Sequence, residues 1–491
     1  MKANFFKNIF LVTLVLTIVS CSEDFLDKKP TEFVDTEAAV GTTDGLMAFL
    51  NGIHRSLYIR YEDNQSHNGL GSLMQQADIV GDDVVFTASN SWFLTVYNWT
   101  GVANVNSAEI RFPYRTYYRV IRNANTIINN TDSAVGTLAE KNIIKGQALL
   151  YRAFSYYQLV QLYGKRYVNG AVNDQMGVPL VLTVGYDPVP RATVEEVYAQ
   201  INKDLDEANV LLVAYKRPNN SHLNLSVAQG LKARVALTQG NWAIAADYAN
   251  KAKSGLSLMT NEEYLKGFND YSAKEWMWGS HISEVHTDYF GNFGAFMSRN
   301  YNSTVIRSCP KAINSKLYNL IPSTDVRSKI FDKTGQHTDL VLASSYSKFP
   351  YTSQKFLSVS TGDSRCDVPY MRVAEMYLIE AEAKARLGLA DANQVLFTLV
   401  SNRNPSYVLS TNTGDALVNE ILLQRRIELW GEGFRFFDLK RTNAALDRTG
   451  ANHNSSLVGG VLNVPAGDKR WQWLIPIAEI NANPLLKQNE L

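Results

Sequence analysis

The strongest constraint on the fold is a set of segments in which apolar residues recur three or four positions apart. In the run Thr-Val-Glu-Glu, Thr193 is a candidate helix cap and Glu196 follows three positions later. The side chain of each residue can then accept a hydrogen bond from the backbone N–H of the other. Apolar residues continue that pattern at Val194, Val197, Ile201, Leu205, Ala208 and Leu212. This spacing predicts an amphipathic helix of about five turns. A wider apolar surface from Glu140 to Tyr163 predicts a helix buried between neighbours.

Two further stretches predict helical hairpins. Ser226 is a candidate cap for a helix that ends at Gly240, and Asn241 is a candidate cap for the return helix. The same order recurs where a helix over 370–387 meets Gly388 and is followed by a helix over 392–400. This pattern resembles the tetratricopeptide unit, whose period is about 34 residues. Because the glycine-ended helices stop at residues 164, 240 and 388, we predict a mainly α chain with tetratricopeptide-like hairpins as scaffold and insertions between them.

The predicted insertions, residues 60–112 and 276–365, have a different composition. They are rich in Gly, Asn, Ser, Asp and aromatic residues and show no sustained helical periodicity. The alternation of Trp276 and Trp278 with polar or flexible neighbours indicates a short strand in the core. Long loops are uncommon in a compact protein unless they have a function. We therefore expect the loops and short strands of these insertions to form a ligand face on the helical scaffold.

The first residues carry a processing signal. Lys2 and Lys7 precede an apolar run over residues 9–19, which ends at Ser20 and Cys21. The run is too short to cross a bilayer core of about 30 Å, which needs roughly 20 apolar residues. The pattern is typical of a bacterial lipoprotein signal peptide. We predict a signal peptide over 1–20, lipidation of Cys21, a tether over 21–43 and a single body over 44–491.

Charge and cysteine content limit the function classes. The chain has 48 basic and 47 acidic residues, and removal of residues 1–20 takes away Lys2 and Lys7 only, so a nucleic-acid binder is not indicated. With Cys21 lipidated, Cys309 and Cys366 remain, either as a disulfide or as two buried thiols. No CxxC pair or zinc-type cluster is present, and the His281 and His286 spacing does not match a metal-binding helix.

Five segments together resemble the SusD/RagB family of nutrient-binding outer-membrane lipoproteins of Bacteroidetes. They are Arg152–Gly164, Pro190–Ala208, Arg372–Ala383, Arg425–Arg441 and the ending Trp473–Asn489. Gln424 departs from the family pattern, in which a Glu usually precedes the paired arginines, and this puts one ion pair in doubt. Within Arg425–Arg441, Glu428 and Glu432 lie among arginines, so we expect a structural clamp of ion pairs.

The resemblance implies a fold and a function. It implies an N-terminal SusD-like part over about 44–260 and a C-terminal RagB/SusD part over about 270–491. It further implies a lipoprotein on the outer face of the outer membrane that captures an oligosaccharide, or less readily a peptide, and delivers it to a SusC-like TonB-dependent transporter. No catalytic residue, metal site or cofactor is expected. Relatives sometimes bind calcium, but no diagnostic ligand spacing is present.

The resemblance and the composition select candidate ligand residues. Sugars present apolar faces that stack on aromatic rings and hydroxyls that bind amides, carboxylates and guanidinium groups. The first group of candidates is Asp83, Trp92, Tyr97, Asn98 and Trp99, and the second is Tyr289, Phe290, Asn292, Phe293 and Arg299. The alternative interpretation is that these aromatic residues pack the loops onto the helices.

Two other function classes remain open from the residues. Glu375, Glu380 and Glu382 could be read as the carboxylates of a lipid-anchored, all-helical glycoside hydrolase, which needs a pair at a defined separation with one raised pKa. On an alanine-rich helix these residues more naturally serve as caps, ion pairs and a solvated face. A third class is an adhesion or structural protein without a soluble ligand.

Overall fold

The computed structural model describes residues 39–286 and 288–490. The predicted signal peptide, Cys21 and most of the tether over 21–43 lie outside the described residues. Within the described ranges, no helix combines the length and the apolar character that a membrane crossing requires.

Nine long helices form the scaffold of the described chain. They are α1 (Thr43–Ser56), α4 (Ala108–Thr131), α5 (Leu138–Tyr163), α6 (Val194–Leu211), α7 (Leu225–Gln239), α8 (Trp242–Ala252), α13 (Val373–Arg386), α14 (Ala392–Arg403) and α15 (Gly414–Glu428). Each helix from α4 to α8 packs on the next, and α13 packs on α8 although a long segment separates them in sequence. The helical array therefore continues across the second insertion, and the predicted scaffold of tetratricopeptide-like hairpins is confirmed.

The two most strongly predicted helices have the expected starts. Thr193 and Glu196 form a capping box at α6, with Thr193 Oγ1 accepting from Glu196 N at 3.1 Å. A second capping box, from Thr137 and Glu140, begins α5. Almost all of α5 from residue 144 onward is buried, as its wide apolar surface predicts. It ends at Gly164, whose backbone is extended rather than left-handed.

The hairpin of α7 and α8 differs from the prediction at its caps. The side chain of Asn224, not Ser226, accepts from Val227 N at 3.2 Å and starts α7. Ser226 Oγ instead donates to Ala252 O at 2.6 Å, which ties the start of α7 to the end of α8. Asn241 precedes α8 but makes no side-chain cap. Gly240 is the expected left-handed cap at φ +70°, a conformation that costs glycine little.

Short elements connect the helices. The strands are β1 (Arg60–Tyr61), β2 (Asn64–Asn68), β3 (Val84–Phe86), β4 (Met176–Pro179), β5 (Arg191–Thr193), β6 (Trp276–Ser280), β7 (Lys311–Ile313), β8 (Phe331–Asp332), β9 (Thr352–Ser353), β10 (Val368–Arg372), β11 (Leu446–Asp447) and β12 (Asn463–Val464). The remaining helices are α2 (Gly69–Ile79), α3 (Leu94–Tyr97), α9 (Asn261–Tyr264), α10 (Phe293–Met297), α11 (Thr304–Ser308), α12 (Ser315–Tyr318), α16 (Arg435–Thr442) and α17 (Ile477–Ala482).

Two of these elements bear on the predictions. Helix α2 lies inside the first predicted insertion, where no helix was expected. Ten of its eleven residues are buried, so it has no polar face and no amphipathic period for sequence analysis to detect. The strand predicted around Trp276 and Trp278 is β6, which is fully buried and pairs antiparallel with β10. Because β10 takes the first residues of the helix predicted from Tyr370, α13 starts only at Val373.

A buried cluster of charged residues joins the second insertion to the scaffold, and we call it the acid–base cluster. Its members are Glu275, Asp325, Arg327, Lys355, Arg372, Arg403, Glu428 and Glu432. Their side chains are at most 3% exposed, and four acids face four bases. Glu428 at the end of α15 contacts Arg327, Arg372 and Arg403. The predicted clamp is confirmed, although its partners come from distant segments rather than from Arg425–Arg441.

Candidate functional site

A four-stranded antiparallel sheet in the order β3-β7-β9-β8 positions the loops of both insertions. Phe86 at the end of β3 pairs with Lys311 at the start of β7, so the loop after β3 and the loop before β7 lie at the same end of the strands. The chain that follows β9 leaves the sheet at that end as well, because β9 runs antiparallel to β7. We call this surface the loop face and define it as residues 87–92, 288–309 and 358–366, together with residues 338–348 of the β8–β9 connection, which reach it through the contact of Tyr346 with Asn300.

The centre of the loop face is a cluster of aromatic residues beneath Trp92. The half-buried indole of Trp92 stacks on the buried ring of Phe296, with ring centroids 5.6 Å apart and planes within 13°. Trp92 and Leu342 also pack against a small core made of Ala295, Tyr301, Ile306 and Tyr346. One side of the indole is therefore held rigidly while part of its surface remains accessible to solvent.

Polar side chains lie beside this aromatic cluster. Tyr301 packs in the cluster, and burial raises the pKa of its hydroxyl. A hydrogen bond with Ser364 opposes that rise, while Asp363 and Tyr289 lie near enough to add to it. Asp363 and Arg365 form a partly exposed pair in which Arg365 Nε donates to Asp363 Oδ2 at 2.7 Å. This part of the loop face thus offers a carboxylate, a guanidinium and the half-buried phenol of Tyr289 near Tyr301 of the aromatic cluster.

Hydrogen bonds from several loops fix the geometry of the loop face. The hydroxyl of Tyr346 donates to Asn300 O at 3.0 Å, and Ser347 N donates to Arg307 O at 2.7 Å. Asn300 Oδ1 accepts from Ser358 N at 2.8 Å. The segments around residues 300, 346 and 358 are therefore joined before any ligand arrives.

Three residues of the first candidate group lie in the interior, which corrects the prediction that they line the ligand face. The hydroxyl of Tyr97 lies 2.6 Å from Nδ1 of His453, and its ring stacks on Phe86. Trp99 donates its indole N–H to Val80 O at 3.0 Å. Asp83 is paired with Arg426 at 2.6 Å. None of these partners is related to its residue by a local sequence pattern, so the burial of these positions could not be predicted from the sequence.

Three residues of the second group are also buried, and the prediction is corrected for them too. Asn292 caps α10 by accepting from Ala295 N at 2.8 Å. Phe293 packs edge-to-face on Phe356, with ring centroids 4.9 Å apart. Arg299 is 1% exposed and donates to Ser347 O at 2.9 Å. These residues support the loop face from beneath.

Four candidates keep accessible surface. Trp92 and Tyr289 are half-buried, and Phe290 is 62% exposed. Asn98 is half-buried as well, but its Oδ1 accepts from Thr100 N and Thr100 Oγ1, so it closes a local turn. Ligand contact by these four residues stays a prediction.

Comparison with known proteins identifies the family. A family model described as "Starch-binding associating with outer membrane" matches residues 24–237, and one described as "SusD family" matches residues 329–491. Both predicted parts of the chain thus carry a SusD-type match. The chain belongs to the SusD/RagB family.

Relatives of this SusD/RagB member cover nearly its whole length. SusD-like protein P2 of Formosa agariphila is 24% identical and aligns with 96% of this chain and 95% of its own. A crystal structure of a SusD-like carbohydrate binding protein from Bacteroides vulgatus superposes with a TM-score of 0.81 at 26% identity, over 92% of this chain and 99% of that one. A structure described as a laminarin binding SusD-like protein shares the fold, with a TM-score of 0.71 at 19% identity, over 91% and 99% of the two chains.

The carboxylates that invited a hydrolase interpretation are engaged in ion pairs within this SusD/RagB member. Glu375 is paired with Arg234 at 2.6 Å, and Glu382 with Arg441 at 2.8 Å. Glu380 contacts Lys384 at 2.8 Å. All three side chains are buried, so the ion pairs predicted for this helix are present but the prediction that these residues form a solvated face is wrong. The described residues contain no group of three or more His, Cys, Asp or Glu arranged for a metal.

Sequence reasoning missed several residues of the loop face in this SusD/RagB member. The ring of Phe296 stacks on Trp92, but Phe296 lies in a helix of only five residues. About two hundred positions separate the two residues, so no local pattern relates them. Tyr301 and Tyr346 join the cluster through tertiary packing. Asp363 and Arg365 had a signal, since opposite charges two residues apart in a glycine- and serine-rich loop can form a local pair.

Proposed function

We propose that this SusD/RagB protein is a lipid-anchored protein of the outer membrane. It binds an oligosaccharide on the loop face and delivers it to a SusC-like TonB-dependent transporter, without catalysing a reaction. The observation that carries the proposal is Trp92, a half-buried indole stacked on Phe296 at the centre of loops that hydrogen bonds hold together. The carbohydrate-binding and laminarin-binding descriptions of similar proteins support the same ligand class.

The chemistry of the loop face suits a sugar. An aromatic ring fixed from one side offers an apolar surface to the C–H face of a pyranose, and no ordering of the ring is needed when the ligand binds. Asp363, Arg365 and Tyr289 supply groups that can hydrogen-bond the hydroxyls around that face. Such a site favours a ligand with both an apolar face and a polar rim.

Asp363, the carboxylate paired with Arg365 on the loop face, is a poor general acid. Glycoside hydrolysis needs a carboxyl whose pKa is raised so that it is protonated near neutral pH. The hydrogen bond from Arg365 instead lowers the pKa of Asp363 below its usual value. This supports binding without hydrolysis.

The proposed anchor rests on the sequence around Cys21. A chain lipidated at Cys21 and lacking a membrane-spanning helix in its described part can hold a nutrient but needs another protein to carry it inward. The description of the N-terminal family model supports association with the outer membrane. Delivery to a β-barrel transporter rests on the resemblance alone.

The first experiment tests binding. The purified mature chain is titrated calorimetrically with a panel of neutral and acidic oligosaccharides and with peptides, and the products are analysed for released sugar. We expect at least one oligosaccharide to bind, and the Trp92→Ala variant to lose on the order of tenfold in affinity, which corresponds to about 1.4 kcal/mol.

Trp242→Ala is the matched control, because Trp242 is also half-buried but lies on α8, where Arg386 covers its ring at 4.7 Å. Equal losses in both variants would refute the loop face as the site. Released sugar would support the hypothesis of a glycoside hydrolase. Binding of peptides without binding of any oligosaccharide would show that the ligand is a peptide.

The second experiment tests the partner. The lipoprotein is extracted in mild detergent and captured through a C-terminal tag. Recovery of a large β-barrel with it supports delivery to a transporter. Recovery of the lipoprotein alone under several detergents counts against delivery and favours the adhesion class.

A further inference from the structure

A cysteine and a lysine lie together beneath the loop face. Cys309 lies two residues before Lys311, which begins β7, and both side chains are buried. The Nζ atom of Lys311 lies 3.7 Å from Sγ of Cys309 and donates to the carbonyl of the same residue at 2.6 Å. The two reactive atoms are therefore close enough to join after a small movement of flexible side chains.

Lys311 is an unusual buried cation. Among the described residues it forms no ion pair with a carboxylate, whereas the other fully buried lysine of this region, Lys355, pairs with Glu432 at 2.6 Å. Its ammonium lies between the rings of Phe86 and Phe296, at 4.8 and 4.3 Å from their centroids. A buried ammonium without a carboxylate is costly, so the neighbouring sulfur is its main polar partner besides a backbone carbonyl.

The surroundings of the two cysteines differ. Burial raises the pKa of the Cys309 thiol, but the Lys311 ammonium and hydrogen bonds with Thr87 lower it, and the net result is a pKa below the usual value. Burial also lowers the pKa of Lys311, which increases the fraction of nucleophilic amine. Burial raises the pKa of Cys366 well above its usual value. The thiolate is the form that oxidants attack, so the two thiols should differ in reactivity.

The two thiols are free and do not form the disulfide that the sequence left open. Sγ of Cys309 lies 3.0 Å from the carbonyl of Ala88, and the next residues, Ser89 and Asn90, are exposed. Cys309 thus lies beneath a segment that is exposed from Ser89 onward, and this is the side from which a small oxidant would approach.

We propose that Cys309 and Lys311 form an oxidation-dependent S–N cross-link, a sulfenamide, when the protein meets hydrogen peroxide. The O–O bond of the peroxide breaks as one oxygen is transferred to sulfur, which gives a sulfenic acid and one water. The amine of Lys311 then attacks sulfur, the S–N bond forms and the S–O bond breaks. The hydroxyl leaves with an amine proton as a second water. The thiol and amine together lose two electrons and two hydrogens, and the peroxide is reduced to water.

The experiment uses the mature chain with Cys21→Ser, so that Cys309 and Cys366 are the two remaining thiols. The protein is treated with hydrogen peroxide, and its intact mass and tryptic peptides are measured. Trypsin normally cuts after Arg307 and Lys311, so unmodified protein gives residues 308–311. The cross-link blocks the cut at Lys311, and we expect a peptide over 308–316 that lacks two hydrogens and reverts when a thiol reductant is added.

Two variants complete the test. Lys311→Arg keeps a cation between the rings but has no nucleophilic amine, and we expect its Cys309 to gain oxygen instead of losing hydrogen. Lys316→Arg is the matched control, because Lys316 is exposed and lies in the same peptide, and it should cross-link like the parent. Oxygen added to Cys309 with normal cleavage after Lys311 in the parent would overturn the proposal, as would a disulfide between the peptides of Cys309 and Cys366.

Discussion

Replacement of Glu428 by Gln tests whether the acid–base cluster that joins the second insertion to the scaffold stabilises the protein. The side chain of Glu428 is 0% exposed, and its carboxylate accepts from Arg372 at 3.1 Å, Arg403 at 3.1 Å and Arg327 at 3.4 Å. Gln keeps the shape but removes the charge and places an amide N–H₂ against guanidinium donors. The four bases of the cluster would then face three acids, and one buried positive charge would be uncompensated.

The expected loss of stability is large for a single substitution. Removal of one partner of a buried ion pair costs about 3–5 kcal/mol. With an unfolding entropy of about 2.1 cal/mol/K per residue, a body of about 450 residues loses roughly 1 kcal/mol per degree near Tm. Glu428→Gln should therefore lower Tm by about 3–5 °C in thermal unfolding followed by circular dichroism.

Glu262→Gln is the matched control for this prediction. Glu262 is 84% exposed and pairs with Lys266 at 3.4 Å, so its substitution should leave Tm unchanged within error. Equal Tm values for the two variants would refute the reasoning, because the cluster would then contribute no more than a surface pair.

The pH dependence of this effect has a defined sign. Burial raises the pKa of the Glu428 carboxyl, but three arginines lower it far more, so its pKa in the folded protein is well below the ordinary value. The stabilisation is complete above the unfolded pKa of about 4.3 and is lost only as pH falls below it. The Tm difference should therefore persist from pH 8 to pH 5 and shrink in stronger acid.

Three further predictions concern single side chains. Lys440 donates to the carbonyls of Gln161, Gly164 and Trp471 at 2.5–2.8 Å. Lys440→Met should lower Tm by several degrees, because each buried carbonyl left without a partner costs about 1–3 kcal/mol. Lys266→Met, a substitution of an exposed lysine, should leave Tm unchanged. Burial raises the pKa of Glu109 to about 7, so the folded chain retains a proton that the unfolded chain loses near pH 4. The stability that this group contributes therefore falls as pH rises from about 4 to about 7. The Tm of Glu109→Gln relative to that of the parent should accordingly be higher at pH 8 than at pH 5. An unchanged Tm difference between those two pH values would contradict that assignment. Phe296→Leu keeps an apolar side chain beneath Trp92 but removes the stacked ring, so oligosaccharide affinity measured by calorimetry should fall by several-fold while the fold persists; unaltered affinity would show that the indole needs no aromatic support.

The helical scaffold was accessible to sequence analysis because its signals are local. The reciprocal capping of Thr193 and Glu196 involves residues three positions apart, and the apolar stripe of α6 repeats within one turn. Gly240 carries its own evidence, since a left-handed residue at a helix end favours glycine. Where a cap depended on packing, as at Ser226, the local pattern selected the wrong residue because Ser226 hydrogen-bonds to the neighbouring helix instead.

Sequence analysis predicted the ligand-facing residues only in part, because contacts with distant residues determine which of the candidates are buried. Trp92, Tyr97 and Trp99 have the same aromatic character in sequence, yet Tyr97 and Trp99 are enclosed. Their burial follows from His453 and from the carbonyl of Val80, which no local periodicity relates to them. Asp83 looked available to a sugar, but it pairs with Arg426, more than three hundred positions away.

The family motifs and the ligand face answer different questions. The charged residues by which the chain resembles the family, such as Arg372, Glu375 and Glu428, are paired with one another or with scaffold residues inside the protein. None of them lies on the loop face. The motifs therefore specify how the insertions are attached, while the side chains around Trp92 determine what binds. It follows that substitutions in the motifs should change Tm, and that substitutions around Trp92 should change affinity with little effect on Tm.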